Sequence, residues 1–395
     1  MLVIVCPGQG SQTPGFLAPW LELPGFADRL SWLSAVAGVD LVAHGTTSDA
    51  DTIRDTAVAQ PLIVAAGLVS LLEVFPHPSE AFAQVGGVAG HSVGELTAAA
   101  ASGVLSAEQA MVLVRERGRA MAEASAVTPT GMSACVGGDP DEVLATIERH
   151  GLTAANVNGA GQVVAAGTLE QLEALKADPP AKARVIPLQV AGAFHTSHMA
   201  PAVDLLERHA RAITTRDPRT VLLSNTDGTV VSEGAEVLSR LVSQVSNPVR
   251  WDLCMQTFVE LGVTGLIEIP PAGTLTNLAK RAMPGVQTLA VKTPDDLERA
   301  RAMVAEHAAA PAEPDTTWRV VVASAPGTVH IDEAAGPGEE VTPETVVARV
   351  DTPGAGDDDE VTAGEGGTVV EWLVEEGETV SPGQPLLQLD PEGGQ

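Results

Sequence analysis

An α/β architecture with a mostly parallel sheet, followed by a small all-β module, is what this 395-residue sequence predicts. Three observations carry the prediction. From Leu2 to about Leu297, short β-branched runs alternate with longer helical ones, the alternation that lays helices over parallel strands. Near Glu306 the composition shifts: EHAAAPAEPDTT is rich in Ala and Pro and has no periodicity, as a linker would be. Beyond it, short alternating strands occur in two copies of one pattern.

The elements follow in order. LVIVC (Leu2–Cys6) reads as a buried strand, Ala57 to Leu72 as a helix, VGGVAG as a strand entering a turn, and Ala107 to Met121 as another helix. Between about residues 129 and 190 the units shorten. GMSACVGG, DEVLATIERHG, TAANVNGAGQVVAAG, LEQLEALKA and ARVIPLQV give β-α-β-β-α-β, the ferredoxin-like order, and predict an inserted subdomain. The predicted boundaries are 1–305 for the main domain, 306–317 for the linker and 318–391 for the all-β module.

Charge separates the two parts. Residues 308–395 hold 19 acids and 2 arginines, whereas residues 1–307 hold 32 acids and 20 Lys or Arg. With a net charge of −29, 3% aromatics and no tyrosine, nucleic acid is excluded as a partner. A phosphate backbone would be repelled, and stacking platforms for single strands are missing. Three widely spaced cysteines (Cys6, Cys135, Cys254) fit a reducing compartment rather than a disulfide framework or a zinc site. MLVIVCPGQG lacks a basic n-region, and the apolar runs read as too short for a membrane span. The expectation is a cytoplasmic protein with no membrane and no metal.

The tail carries an internal repeat. Gly-Thr-Val at Gly327 recurs at Gly367, and Gly-Glu-x-Val-(Thr or Ser)-Pro at Gly338 recurs at Gly377. Two such halves predict a β-sandwich with quasi-two-fold symmetry. The pattern resembles the biotinyl/lipoyl carrier domain, whose halves meet at a hairpin bearing the modified lysine. Here the matching connector, VDTPGAGDDDEV (Val350–Val361), has no lysine, and the last lysine of the chain is Lys292. Neither biotin nor lipoate is therefore expected as a cofactor.

Chemistry concentrates at VAGHSVGELTAAA. Gly90-His91-Ser92-Val93-Gly94 stands between a strand and a helix, the pattern of a nucleophile elbow, in which flanking glycines permit a sharp turn that lifts the hydroxyl from the sheet. The following helix aims its N-terminus at Ser92, where free N–H groups and the dipole favour an oxyanion. Upstream, CPGQGSQTPGF (Cys6–Phe16) is a glycine-rich turn without the lysine of a P-loop or the spacing of a dinucleotide fingerprint.

With GHSVGE following that turn by about 80 residues, the chain resembles malonyl-CoA:acyl carrier protein transacylases and the acyltransferase domains of polyketide synthases, over residues 1 to about 300. The resemblance implies an α/β-hydrolase-like domain in which Ser92 forms an acyl-enzyme. It places the oxyanion hole at the backbone N–H groups of Gln9 and Val93. VAGAFHTSHMAPA matches the segment of the catalytic base and selects His195 over His198. VSNPVRW (Val245–Trp251) matches the segment whose carbonyls orient that base, near Asn247 and Arg250. In LVRERGRAM the arginine before glycine, Arg117, pairs with the malonyl carboxylate, and Arg115 and Arg119 are surface residues. A guanidinium fork gives two charge-assisted bonds of about 1.5–3 kcal/mol each, enough for roughly a hundredfold preference over acetyl. Phe194 fills the space that a methylmalonyl branch would need. Asn158 and Gln162 either line the acyl channel or close a β-turn. Lys280 and Arg281 offer a basic patch for the acidic carrier protein, which the acidic tail does not bind directly.

The implied reaction is ping-pong transfer of malonyl from coenzyme A to the phosphopantetheine thiol of acyl carrier protein in fatty acid biosynthesis. Two alternatives stay open at this point: a polyketide-pathway acyltransferase or editing hydrolase with another acyl group, and an assembly scaffold acting through the acidic module.

Overall fold

A computed structural model describes residues 1–75, 81–82, 84–190, 192–308, 319–352 and 359–390. The chain divides into two compact units, Met1–Ala310 and Pro311–Gln395.

The first unit is built on a five-stranded sheet whose neighbouring strands are all parallel. Leu2–Cys6 lies at its centre, between Gly87–Gly90 on one side and Gly265–Glu268 on the other. Val221–Leu222 and Gln287–Ala290 complete the edges. Both faces of the central strand are covered, so LVIVC is apolar throughout and all five residues are buried. Helices Thr56–Val74 and Ala107–Ser125 pack together over one face. Gly118 makes that contact possible: a Cβ there would stand 2.9 Å from the Thr56 carbonyl oxygen. The Ala107–Ser125 helix opens with a capping box, Ser106 with Gln109.

One expectation needs correction. Thr56–Val74 is long and apolar enough to cross a membrane, with a hydropathy of 1.9, although 67% of that window is buried inside the unit. It is hydrophobic all round because other helices pack on several of its sides.

A second sheet takes the order 183–187, 130–137, 162–168, 153–159, each neighbouring pair antiparallel, with Val249–Arg250 adding in parallel at the far edge. Helices Pro140–Arg149 and Leu169–Ala177 make the crossovers. This is the strand order that a β-α-β-β-α-β chain forms when each helix returns over the same sheet. Val249–Arg250 ties the sheet to the segment behind His195.

The second unit consists of two four-stranded antiparallel sheets around a core of Val, Ala and Leu. Its halves interlock. Gly327–Ile331 pairs with Thr379–Val380, and Gly367–Trp372 with Glu340–Val341, so each half lends its short strand to the other. Repeat-related atoms make the same bonds: the Gly338 N–H donates to the Val369 carbonyl (2.7 Å) and the Gly377 N–H to the Val329 carbonyl (2.9 Å). Of the connector Val350–Val361, residues 353–358 lie outside the described residues, as do 309–317 of the linker and both predicted end residues of the module, 318 and 391.

Candidate active site

The elbow is enforced by close backbone approach. A Cβ on Gly90 would meet the Gly94 carbonyl carbon at 2.0 Å, and one on Gly94 would meet the Cys6 oxygen at 2.2 Å. Between them Ser92 adopts φ +54°, a left-handed conformation that costs a non-glycine residue about 1 kcal/mol or more. Asn225 holds it there. Its Oδ1 accepts from the Ser92 N–H (2.8 Å) while its Nδ2 donates to the Gly90 carbonyl (2.8 Å).

Ser92 Oγ stands 2.7 Å from His195 Nε2. His195 is itself left-handed (φ +61°), fixed by its N–H donating to the Val245 carbonyl. His195 Nδ1 lies 2.9 Å from the Gln244 carbonyl oxygen. A carbonyl only accepts, so Nδ1 carries the proton and Nε2 remains the acceptor for the serine hydroxyl. This corrects the expected acceptors. The closest carbonyl is Gln244's, one residue before the matched segment, and the Asn247 backbone contributes, as the segment match expected of it, but less. Burial and then Arg117 push His195 down to about 3, so the imidazole is neutral at neutral pH and its Nε2 is free to accept.

Arg117 is 3% exposed and reaches the same point. Its Nη1 donates to Gln60 Oε1 (2.8 Å), and its Nη2 to Gln244 Oε1 (2.8 Å) and, at 3.4 Å, to Ser92 Oγ. The guanidinium is therefore paired within the protein. Two glutamine oxygens hold it in reach of the serine. Arg115 and Arg119 instead flank Glu116 at the surface.

Among the described residues, the backbone N–H groups of Gln9 and Val93 have no hydrogen-bond partner. The Gln9 side chain is anchored by the Arg54 carbonyl and Thr56 Oγ1, which fixes its backbone beside the elbow. A cleft of about 500 Å³ opens next to Gln9 and His91. Asn158 and Gln162 both line it, joined by a 3.1 Å hydrogen bond, and Asn158 Oδ1 also meets His91 Nε2 at 2.8 Å. Asn156 lines it too, and its Oδ1 has no partner among the described residues. A more apolar cavity of about 560 Å³ lies elsewhere, between Trp32, Phe75 and Val88, and touches none of these groups.

Phe194 is not brought to the cleft lining. It is buried with the core apolar residues, adjoining His195 only along the chain. Lys280 and Arg281 are exposed on the last turn of helix Thr274–Ala282, whose first turn lines the cleft. Buried Glu268 caps that helix, accepting from the N–H groups of Gly273, Leu275 and Thr276.

A serine on a strained elbow, a neutral histidine oriented by a carbonyl, two free N–H groups and a buried arginine can form and discharge an acyl-enzyme carrying a carboxylate. The acyl transferase domain family matches residues 3–307. The chain belongs to that family. A relative from Mycobacterium tuberculosis, a malonyl CoA-acyl carrier protein transacylase, is 53% identical over 298 residues, 75% of this chain and 98% of the relative. The crystal structure of the M. tuberculosis MCAT aligns with a TM-score of 0.73 and 52% identity, covering 76% of this chain and 99% of that one. A malonyl-transacylase solved in complex with a type II PKS acyl-carrier protein aligns at 0.70 with 30% identity, over 76% and 99% of the two chains. Beyond residue 307 lies the second unit, outside the acyltransferase match.

Four groups of this family site escaped the sequence argument: Gln60, Glu95, Asn225 and Gln244. Glu95 closes the GHSVGE motif and was legible as part of it. The other three come from distant segments with no local signal.

Proposed function

We propose that this chain is a malonyl-CoA:acyl carrier protein transacylase that works through malonyl-Ser92. The observation that carries the reading is the convergence of Ser92 Oγ, His195 Nε2 and Arg117 Nη2 on one point. His195 takes the serine proton as Oγ attacks the thioester, then returns it to the leaving coenzyme A sulfur. The tetrahedral oxyanion rests on the N–H groups of Gln9 and Val93, while Arg117 pairs with the malonyl carboxylate. In the second half the carrier's phosphopantetheine thiol gives its proton to His195 and attacks malonyl-Ser92; as the ester breaks, His195 passes that proton to Ser92 Oγ. Atoms balance with no metal or redox group in any step.

Asn156, Asn158 and Gln162 present amide groups along the cleft, suited to the amides of a pantetheine arm. Lys280 and Arg281, one helix length from the cleft wall, suit an acidic carrier protein. Phe194 is assigned to shaping the acyl pocket from behind His195. The first unit reads as an α/β-hydrolase-like domain with a ferredoxin-like insertion, spanning 1–305. The second reads as a biotinyl/lipoyl-like sandwich without its lysine, and the protein as cytoplasmic. A polyketide carrier is the second reading, favoured by the likeness to the type II PKS complex.

The test is transfer of labelled malonyl from coenzyme A to holo acyl carriers of fatty acid and polyketide type. Labelled carrier is expected. Release of free malonate with no carrier labelled would instead indicate a hydrolase.

A further inference from the structure

Behind the catalytic groups lies a carboxylate that the transfer steps do not use. Glu95 is 6% exposed at the start of the elbow helix. Its Oε1 accepts from the Asn225 N–H (2.7 Å), and its Oε2 accepts a short hydrogen bond from Gln244 Nε2. The Gln244 nitrogen donates also to the Ser92 carbonyl (3.2 Å), and the Gln244 oxygen receives Arg117. One amide thus stands between an acid and a guanidinium, nitrogen toward the acid and oxygen toward the cation.

That orientation is not free. Arginine only donates and an ionised carboxylate only accepts, so the amide between them has one satisfactory way round. We propose that Glu95 is a positioning residue for acyl selectivity: by accepting from Gln244 it turns the amide oxygen to Arg117, which holds the guanidinium beside Ser92 for the substrate carboxylate. The inference rests on the malonyl-transfer reading above. Asn225, whose side chain clamps the elbow, donates its backbone N–H to the other Glu95 oxygen, so the same acid braces both the nucleophile's turn and the specificity arginine.

The groups facing Glu95 support its ionised form against burial. Arg117 and Arg240 favour its ionised form, and both oxygens receive N–H donors. Burial opposes them and pushes Glu95 up to about 8. Cys254, the remaining titratable neighbour, is held well above the usual thiol range by burial. Burial lowers Arg117 to about 10 and His195 to about 3, so neither of them changes charge near pH 8.

The experiment measures kcat/KM for malonyl-CoA and acetyl-CoA in the full chain and in Glu95→Gln, with folding checked by circular dichroism. A glutamine at 95 presents an amide nitrogen that can force Gln244 to turn and offer Arg117 a donor. Measured at pH 9, where Glu95 is ionised, the malonyl-to-acetyl ratio is expected to fall at least tenfold. It should rise with pH through about 8 in the parent chain and stay flat in the variant. Added to Arg117→Ala, Glu95→Gln should not change the ratio further. An unchanged ratio in folded Glu95→Gln, or equal losses on both substrates, overturns the relay. Should that variant not fold, Gln244→Met removes the same oxygen and must lower the ratio; an unchanged ratio there overturns the relay equally. A parent chain that takes no malonyl on Ser92 would sink the function reading itself, which keeps the two failures distinct.

Discussion

The two units use glycine and polarity in opposite ways. In the first, Gly90, Gly94 and Gly118 sit where another backbone approaches within 3 Å of where a Cβ would be. In the second, Gly338 and Gly377 have open space around them and take φ of +89° and +81°. The first set draws segments together; the second only turns the chain. Burial follows the same division. The first unit buries Glu95, Arg117, His195, Asn225, Gln244 and Glu268, whereas every fully buried side chain described in the second is apolar. Burying charge is costly unless it is paired, so a protein that concentrates it in one unit has located its chemistry there. The acyl transferase family match ends at residue 307, inside the first unit.

Substitutions can break that comparison, beginning with the most damaging. Gly94→Ala sets a methyl against the Cys6 carbonyl and cannot be absorbed by a flexible side chain. It should abolish acyl transfer and lower the thermal midpoint of the first unit, read by calorimetry and a malonyl-transfer assay. Arg117→Ala follows. Losing two charge-assisted bonds of about 1.5–3 kcal/mol each should cut kcat/KM for malonyl-CoA by roughly a hundredfold or more while raising the relative rate on acetyl-CoA. A loss within threefold would place carboxylate recognition elsewhere.

A pH profile sharpens the electrostatic side. The base must be neutral, and His195 is lowered to about 3 rather than the ordinary 6.5. Protonation therefore switches the free enzyme off only as pH falls toward that lower value. The acylation kcat/KM should show no histidine limb between pH 5 and 7, and a half-loss near 6.5 would contradict the buried, arginine-facing imidazole.

The smallest effects belong to the second unit. Gly338→Ala and Gly377→Ala should each destabilise it by about 1 kcal/mol, nearly equally, because the repeat gives them the same backbone and the same open surroundings. Neither should alter transfer. Removing residues 311–395 should leave kcat/KM for malonyl-CoA within about twofold, under roughly 0.5 kcal/mol of barrier.

Much of this was legible beforehand, for identifiable reasons. The strand Leu2–Cys6, the elbow glycines and the repeat announce themselves through local patterns: an apolar run, a spacing, a 39- or 40-residue period. His195 and Arg117 became legible through resemblance rather than through geometry. Asn225 and Gln244 were missed because they meet Ser92 across 133 and 152 residues of sequence, and an isolated Asn or Gln carries no periodic signal. The left-handed backbone of His195 was equally invisible, since histidine does not advertise positive φ as glycine does. Phe194 was assigned to the acyl pocket through the resemblance, and it packs among the core apolar residues next to His195 in the chain; no local pattern announces the direction of its side chain.

Intact-protein mass spectrometry after mixing the full chain with malonyl-CoA, in the absence of any carrier protein, tests the central claim most directly. A ping-pong route needs no second substrate for its first half. The account predicts a single malonyl adduct mapped to Ser92, absent in Ser92→Ala and discharged when holo carrier is added. An adduct on Cys135 or another residue, or one that persists in Ser92→Ala, would contradict it.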